Sequence, residues 1–128
     1  MPEWSTYKAS AKERGALALE LFAVESTPIA DEQRLKSVLA EHLDYQRELE
    51  AAGKLFLAGP LSDDSGDFMQ GSGLIIYRCN SLAEATQLAE NDPMHAKKAR
   101  SFRLRRWLIN EGSPTISTAL SSQSVTLS

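Results

Sequence analysis

The chain has 128 residues, 24% of them charged, with 14 basic side chains against 17 acidic ones and a net charge of −3. That length holds one core rather than two, and the mild acidic balance leaves no basic excess to draw the chain onto nucleic acid or anionic lipid. A single cysteine, Cys79, excludes an internal disulfide framework and points to a reducing cytoplasm, while Glu3, Lys8, Lys12, Glu13 and Arg14 break any signal-peptide core and no apolar run reaches membrane-spanning length.

In chain order, residues 3–14 read as a short amphipathic helix leading to Gly15, and the apolar run Ala16–Val24 reads as a strand closed by Thr27-Pro28. A long helix begins at Asp31, a suitable N-cap, and stops at Gly53, a residue suited to the left-handed position past a helix end. Lys54–Ala58 is a second strand that Gly59-Pro60 is expected to break. The connection 61–70, LSDDSGDFMQ, is longer than a tight hairpin needs and is a candidate lid or binding loop. Leu74–Cys79 is a third strand. Ser81 and Glu84 then form a capping box opening a helix through Leu82, Ala85, Leu88 and Ala89, and Phe102–Ile109 is the last strand. The order strand, helix, strand, strand, helix, strand predicts an α+β, ferredoxin-like βαββαβ fold, a four-stranded antiparallel sheet with both helices on one face.

Alternation in the first and third strands puts apolar residues on both sides of that sheet: Leu17, Leu19 and Leu21 against Phe22 and Val24, Leu74 and Ile76 against Ile75 and Tyr77. Two helices cover one side. The other is expected to meet its copy in a second subunit, giving a homodimer built sheet to sheet. Glu20, Arg103 and Arg105 interrupt the apolar pattern, and ion pairing is the expected reason.

One polar residue stands out on the long helix. Leu35, Val38, Leu39, Tyr45, Leu49 and Ala52 recur at helical spacing, and His42 sits inside that stripe. An imidazole turned toward a core needs a hydrogen-bond partner. Asp92, in Asn91-Asp92-Pro93 after the second helix, can supply one. A neutral imidazole fixed by a carboxylate is a stronger base, suited to taking a proton from an acidic carbon or phenol, and such chemistry calls for no metal or other cofactor. Gly59 and Pro60 offer backbone that a ligand can approach, Ser62 a hydroxyl donor, and Arg100 a cation for an anionic substrate.

The segments HLDYQRELEAAGKLFLAGPLSD (42–63) and NDPMHAKKARSF (91–102) resemble the two signatures of the YCII-related, or YciI-like, proteins. These are a His-Leu on the first helix with a Gly-Lys and an Ala-Gly-Pro strand end, and an Asp-Pro after the second helix. The resemblance spans about residues 16–110. It implies a dimeric α+β barrel and a site pairing His42 with Asp92, with Pro93 beside it. It also implies a small-molecule ligand. One family member is a dehydrochlorinase acting on a chlorinated hydroxyhydroquinone, whereas most have no assigned reaction. On this reading residues 1–15 are a helical extension, 16–111 the YCII-like domain and 112–128 a Ser/Thr-rich tail, which is expected to be flexible.

Each feature also has a plainer reading. His42 can be a core histidine and Asp92 a helix cap with proline at the first helical position. Asp63, Asp64 and Asp67 lack the order of a calcium loop, and Met94-His95 alone makes no metal site. Arg103, Arg105 and Arg106 alternate between faces and form no single phosphate patch. Three functions therefore compete: a lyase or isomerase moving a proton on a small cyclic or enolisable compound, a non-catalytic small-molecule binder, and a dimeric interaction module.

Overall fold

A computed structural model describes residues 1–127. The elements are α1 (Trp4–Glu13), β1 (Leu19–Pro28), α2 (Glu32–Ala51), β2 (Leu55–Ser62), β3 (Met69–Tyr77), α3 (Leu82–Asn91), α4 (Pro93–Ala96), β4 (Arg100–Ile109), β5 (Ile116–Ala119) and β6 (Ser124–Leu127). They fall into two compact units, Glu20–Trp107 and the two terminal segments together.

The larger unit is the predicted βαββαβ core. Its sheet has the order β2-β3-β1-β4, and β3 runs antiparallel to both β1 and β2. The register Phe22↔Tyr77 and Val24↔Ile75 sets these four side chains on one face. There they form a core with Leu49 of α2 and with Ala85 and Ala89 of α3, against which Phe102 and Leu104 of β4 pack. Both long helices thus cover the same side of the sheet, as expected. On the other side Leu21 and Ile76 are buried as well, Glu25 pairs with Arg105, and Leu57 and Trp107 on the edge strands remain 50% and 43% exposed.

Several boundaries differ from the sequence reading, three of them for a clear local reason. β1 starts at Leu19 rather than Ala16, because Ala18 has φ +50, a left-handed conformation that an extended strand cannot contain. β2 does not break at Gly59-Pro60 but continues to Ser62. Proline is tolerated there because β2 is an edge strand, where a missing N–H leaves no outer neighbour unpaired. The irregularity falls just after it, as a register shift between Pro60 and Ser62. β3 correspondingly begins at Met69, so the expected lid shrinks to a turn over Asp63–Phe68. The Asp63 carboxylate organises that turn by accepting from the Ser65 N–H (3.1 Å), the Ser65 hydroxyl (2.6 Å) and the Gly66 N–H (3.1 Å).

The helix caps follow the sequence closely. Asp31 accepts from the Arg34 N–H at 2.8 Å, and Gly53 lies at φ +75 just beyond α2. Ser81 accepts from the Glu84 N–H, but Glu84 reaches back to the N–H of Asn80, one residue before the cap.

The smaller unit contains α1 and a hairpin. Leu17 N–H donates to the Asn110 carbonyl at 3.2 Å. The C-terminal residues expected to be flexible form the antiparallel pair β5–β6, with Ile116 opposite Leu127 and Thr118 opposite Val125. Its β-branched Ile116, Thr118, Val125 and Thr126 favour extended backbone. Its side chains are all exposed.

Candidate functional site

Helix α2 carries His42 toward the segment between α3 and α4. The His42 Nδ1 lies 2.8 Å and 2.9 Å from the two carboxylate oxygens of Asp92. A carboxylate only accepts, so Nδ1 bears the proton and Nε2 is left as the basic nitrogen. Asp92 has no exposed surface, whereas the His42 side chain retains 16%. The pair is therefore a buried carboxylate holding a reachable imidazole. The same carboxylate accepts the Met94 N–H at 2.9 Å and caps α4, whose first residue is Pro93. Capping and holding the histidine are two bonds of one side chain.

His42 lines a pocket of about 570 Å³ between α2 and the strands β2 and β3. Leu35, Leu39 and Leu43 of α2 form one wall, and Ala58, Leu74 and Ile75 form part of the opposite one. Gly59 and Pro60 line it too, from within β2 rather than from its end. Arg100 lies in the same lining. Rather than sitting in solvent, it is half-buried and donates to Ser26 and Gly71. Two other candidates lie elsewhere. Ser62 is exposed, outside the lining, and spends its hydroxyl on the Asp63 carbonyl at 2.9 Å. Pro93 starts α4 behind Asp92 and is also outside the lining.

Two polar residues that the sequence reading did not assign to the site belong to its frame. Ser26, 3% exposed, lines the pocket and lies 2.8 Å from the Nε2 of His95. His95, on α4, places its Nδ1 2.7 Å from the Ala89 carbonyl. Both of its nitrogens are thereby engaged, which leaves neither for a metal. Its burial pushes the imidazole below the ordinary histidine pKa. Ser26 carried one signal: it is a polar residue on the core-facing side of β1, in phase with Phe22 and Val24. Nearby, Tyr45 donates to the Leu88 carbonyl at 2.7 Å, and burial, followed by the Asp92 and Glu48 charges, pushes its hydroxyl up to about 12. It acts as a donor and not as a base.

The sequence that builds this core and brings His42 to Asp92 matches the YCII-related domain over residues 20–108. The chain belongs to the YCII-related family. Among solved structures, this YCII-related chain is similar to the 5-chloro-2-hydroxyhydroquinone dehydrochlorinase TftG from Burkholderia phenoliruptrix AC1100, determined as a complex with 2,5-dihydroxybenzoquinone. The TM-score is 0.55 at 24% identity, covering 68% of this chain and 92% of that one. That likeness shows the shared ferredoxin-like α+β fold. No curated protein matches the sequence. Among the described residues of the YCII-related chain, no helix is long and apolar enough to cross a membrane, and no three His, Cys, Asp or Glu side chains are grouped to hold a metal ion.

Proposed function

We propose that this protein is a small lyase or isomerase that moves a proton on a cyclic or enolisable compound, with His42 as the base and Asp92 as the residue that fixes it. The observation that carries this reading is the bond from His42 Nδ1 to a fully buried carboxylate, on a histidine that lines an apolar pocket. Nε2 takes a proton from an acidic C–H or O–H of the substrate. In an isomerisation the proton returns to another carbon. In an elimination the electron pair of the broken C–H bond forms the new double bond, and the leaving group departs with the pair of its own bond. Neither route needs an electron acceptor. Asp92 stabilises the imidazolium without being protonated itself. The dehydrochlorinase activity named for TftG is one reaction of this class. We further propose a homodimer in the cytoplasm. The exposed Leu57 and Trp107, on the sheet side away from the helices, supply apolar surface for it.

The test is a turnover screen with chlorinated hydroquinols and enolisable cyclic ketones, run on the full chain and two variants. His42→Asn keeps an amide donor facing Asp92 but has no Nε2. It is expected to remain folded and lose activity by roughly 10²–10⁴-fold. Asp92→Asn presents an amide N–H to Nδ1, which moves the ring proton to Nε2, the wrong nitrogen, and is expected to lower kcat more than it changes KM. Activity unchanged in His42→Asn would sink the proposal. A ligand that raises the melting temperature but is never consumed would favour the binding-module reading instead.

A further inference from the structure

The hydrogen bonds of Arg100 run in one direction. Its Nε donates to Ser26 Oγ at 2.8 Å, and its Nη2 donates to the Ser26 carbonyl at 2.9 Å and to the Gly71 carbonyl. Because Ser26 Oγ accepts from Arg100, its own proton goes to His95 Nε2 at 2.8 Å. This is consistent with the Nδ1–H of His95 donating to the Ala89 carbonyl at 2.7 Å, since a carbonyl can only accept. The result is a chain of single donors, Arg100 to Ser26 to His95 to Ala89, that fixes the guanidinium. The His95 ring is held as well by Phe102, with centroids 4.7 Å apart.

This chain orients the cation without neutralising it. Every acceptor of Arg100 is an uncharged oxygen, and Nη1 keeps both of its N–H groups with no acceptor among the described residues. The carboxylates around it are committed elsewhere. Asp92 is bonded to His42 and Met94, and Glu32, also in the lining, pairs with Lys36 at 3.0 Å. A half-buried guanidinium with an unused edge, in an apolar pocket that also holds a basic imidazole, feels the charge of Asp92 but has no carboxylate bonded to it.

We infer that the pocket takes a planar ring bearing an ionised oxygen, an enolate or phenolate, bound by Arg100 Nη1, and that Ser26 and His95 are positioning residues for that guanidinium. The inference rests on the pocket being the substrate site and names the substrate class: an oxyanion held at Arg100 while His42 works on the same ring.

Two probes of one shape test it by titration calorimetry on the full chain. The first is 2,5-dihydroxybenzoquinone, which ionises as a vinylogous acid, and the second is 2,5-dimethoxybenzoquinone, which cannot ionise. The unaltered protein is expected to bind the hydroxy compound at least about tenfold more tightly, one charge-assisted contact. Arg100→Met is expected to erase that preference, and Ser26→Ala and His95→Phe to reduce it severalfold while the circular dichroism stays native. No preference in the unaltered protein, including no binding of either probe, overturns the inference, as does a preference that survives Arg100→Met. Should Arg100→Met not fold, Arg100→Lys takes its place: a point charge without the guanidinium fork must weaken the preference, and an unchanged ratio overturns the proposal. A clear preference in a protein that turns nothing over supports the anion site and overturns the proton-transfer reading alone.

Discussion

Asp92 shows how much one residue settles in this protein. It is fully buried, bonds His42 with both oxygens and caps α4, so its removal would leave an imidazole and a helix end unpaired together. His95, three residues on, carries a pH dependence. Burial holds its pKa below the ordinary value of 6.5. On acidification the unfolded chain therefore takes up that proton first. The stability tied to a neutral His95 is complete above its ordinary pKa and is lost as pH falls below it toward the lowered folded value. His95→Gln is expected to flatten the slope of melting temperature between about pH 7.5 and about pH 5, and an unchanged slope would assign the dependence to other groups. Tyr77 offers the opposite case. Its ring is in the core at 1% exposure, yet its hydroxyl is buried with no hydrogen-bond partner among the described residues. Tyr77→Phe removes an unsatisfied group at nearly constant shape, and is expected to raise stability by about 1 kcal/mol in urea denaturation.

At the scale of elements, the helix ends were legible because capping is local. Asp31 and Gly53 bound α2 through bonds and dihedrals set within a few residues, and Asp31→Ala is expected to cost about 1 kcal/mol of unfolding free energy. A cost near zero would mean that tertiary packing alone fixes the start of α2. The strand ends were less legible. Gly59-Pro60 carries the composition of a break, but whether proline ends a strand depends on whether that strand is at an edge, which the sequence of β2 does not state. The lid expected over 61–70 became a short turn for a related reason: β3 starts at Met69 because it has β2 to pair with as far as Ser62. Gly73 helps that pairing, since a Cβ there would come within 3.1 Å of the Gly59 carbonyl.

For the whole molecule, the βαββαβ core is a layer problem. A sheet with apolar side chains on both faces and both long helices on one leaves the second face to be closed by other means. Leu21 and Ile76 on that face are buried, whereas Leu57 and Trp107 keep large apolar exposure. If those residues meet a second copy, light scattering at micromolar concentration should give twice the chain mass, and Leu57→Glu should shift the protein to the monomer while its far-ultraviolet circular dichroism is unchanged. A single chain mass at every concentration would remove the dimer. The order of the βαββαβ elements, the caps of α2 and α3, the helix-facing strand residues and the pairing of His42 with Asp92 were readable from the sequence, whereas the β5–β6 pair was not. Periodicity and capping are short-range; the need of a core-facing imidazole for a partner pointed to Asp92, and the resemblance supported that distant pair. Tertiary structure alone decided that Arg100 turns inward, that Ser62 stays outside the pocket, and that Ser26 and His95 join Arg100 in one directed chain. Those partners lie 69 and 74 residues from one another along the chain, so only the packing of β1, α4 and β4 could bring their donors and acceptors together.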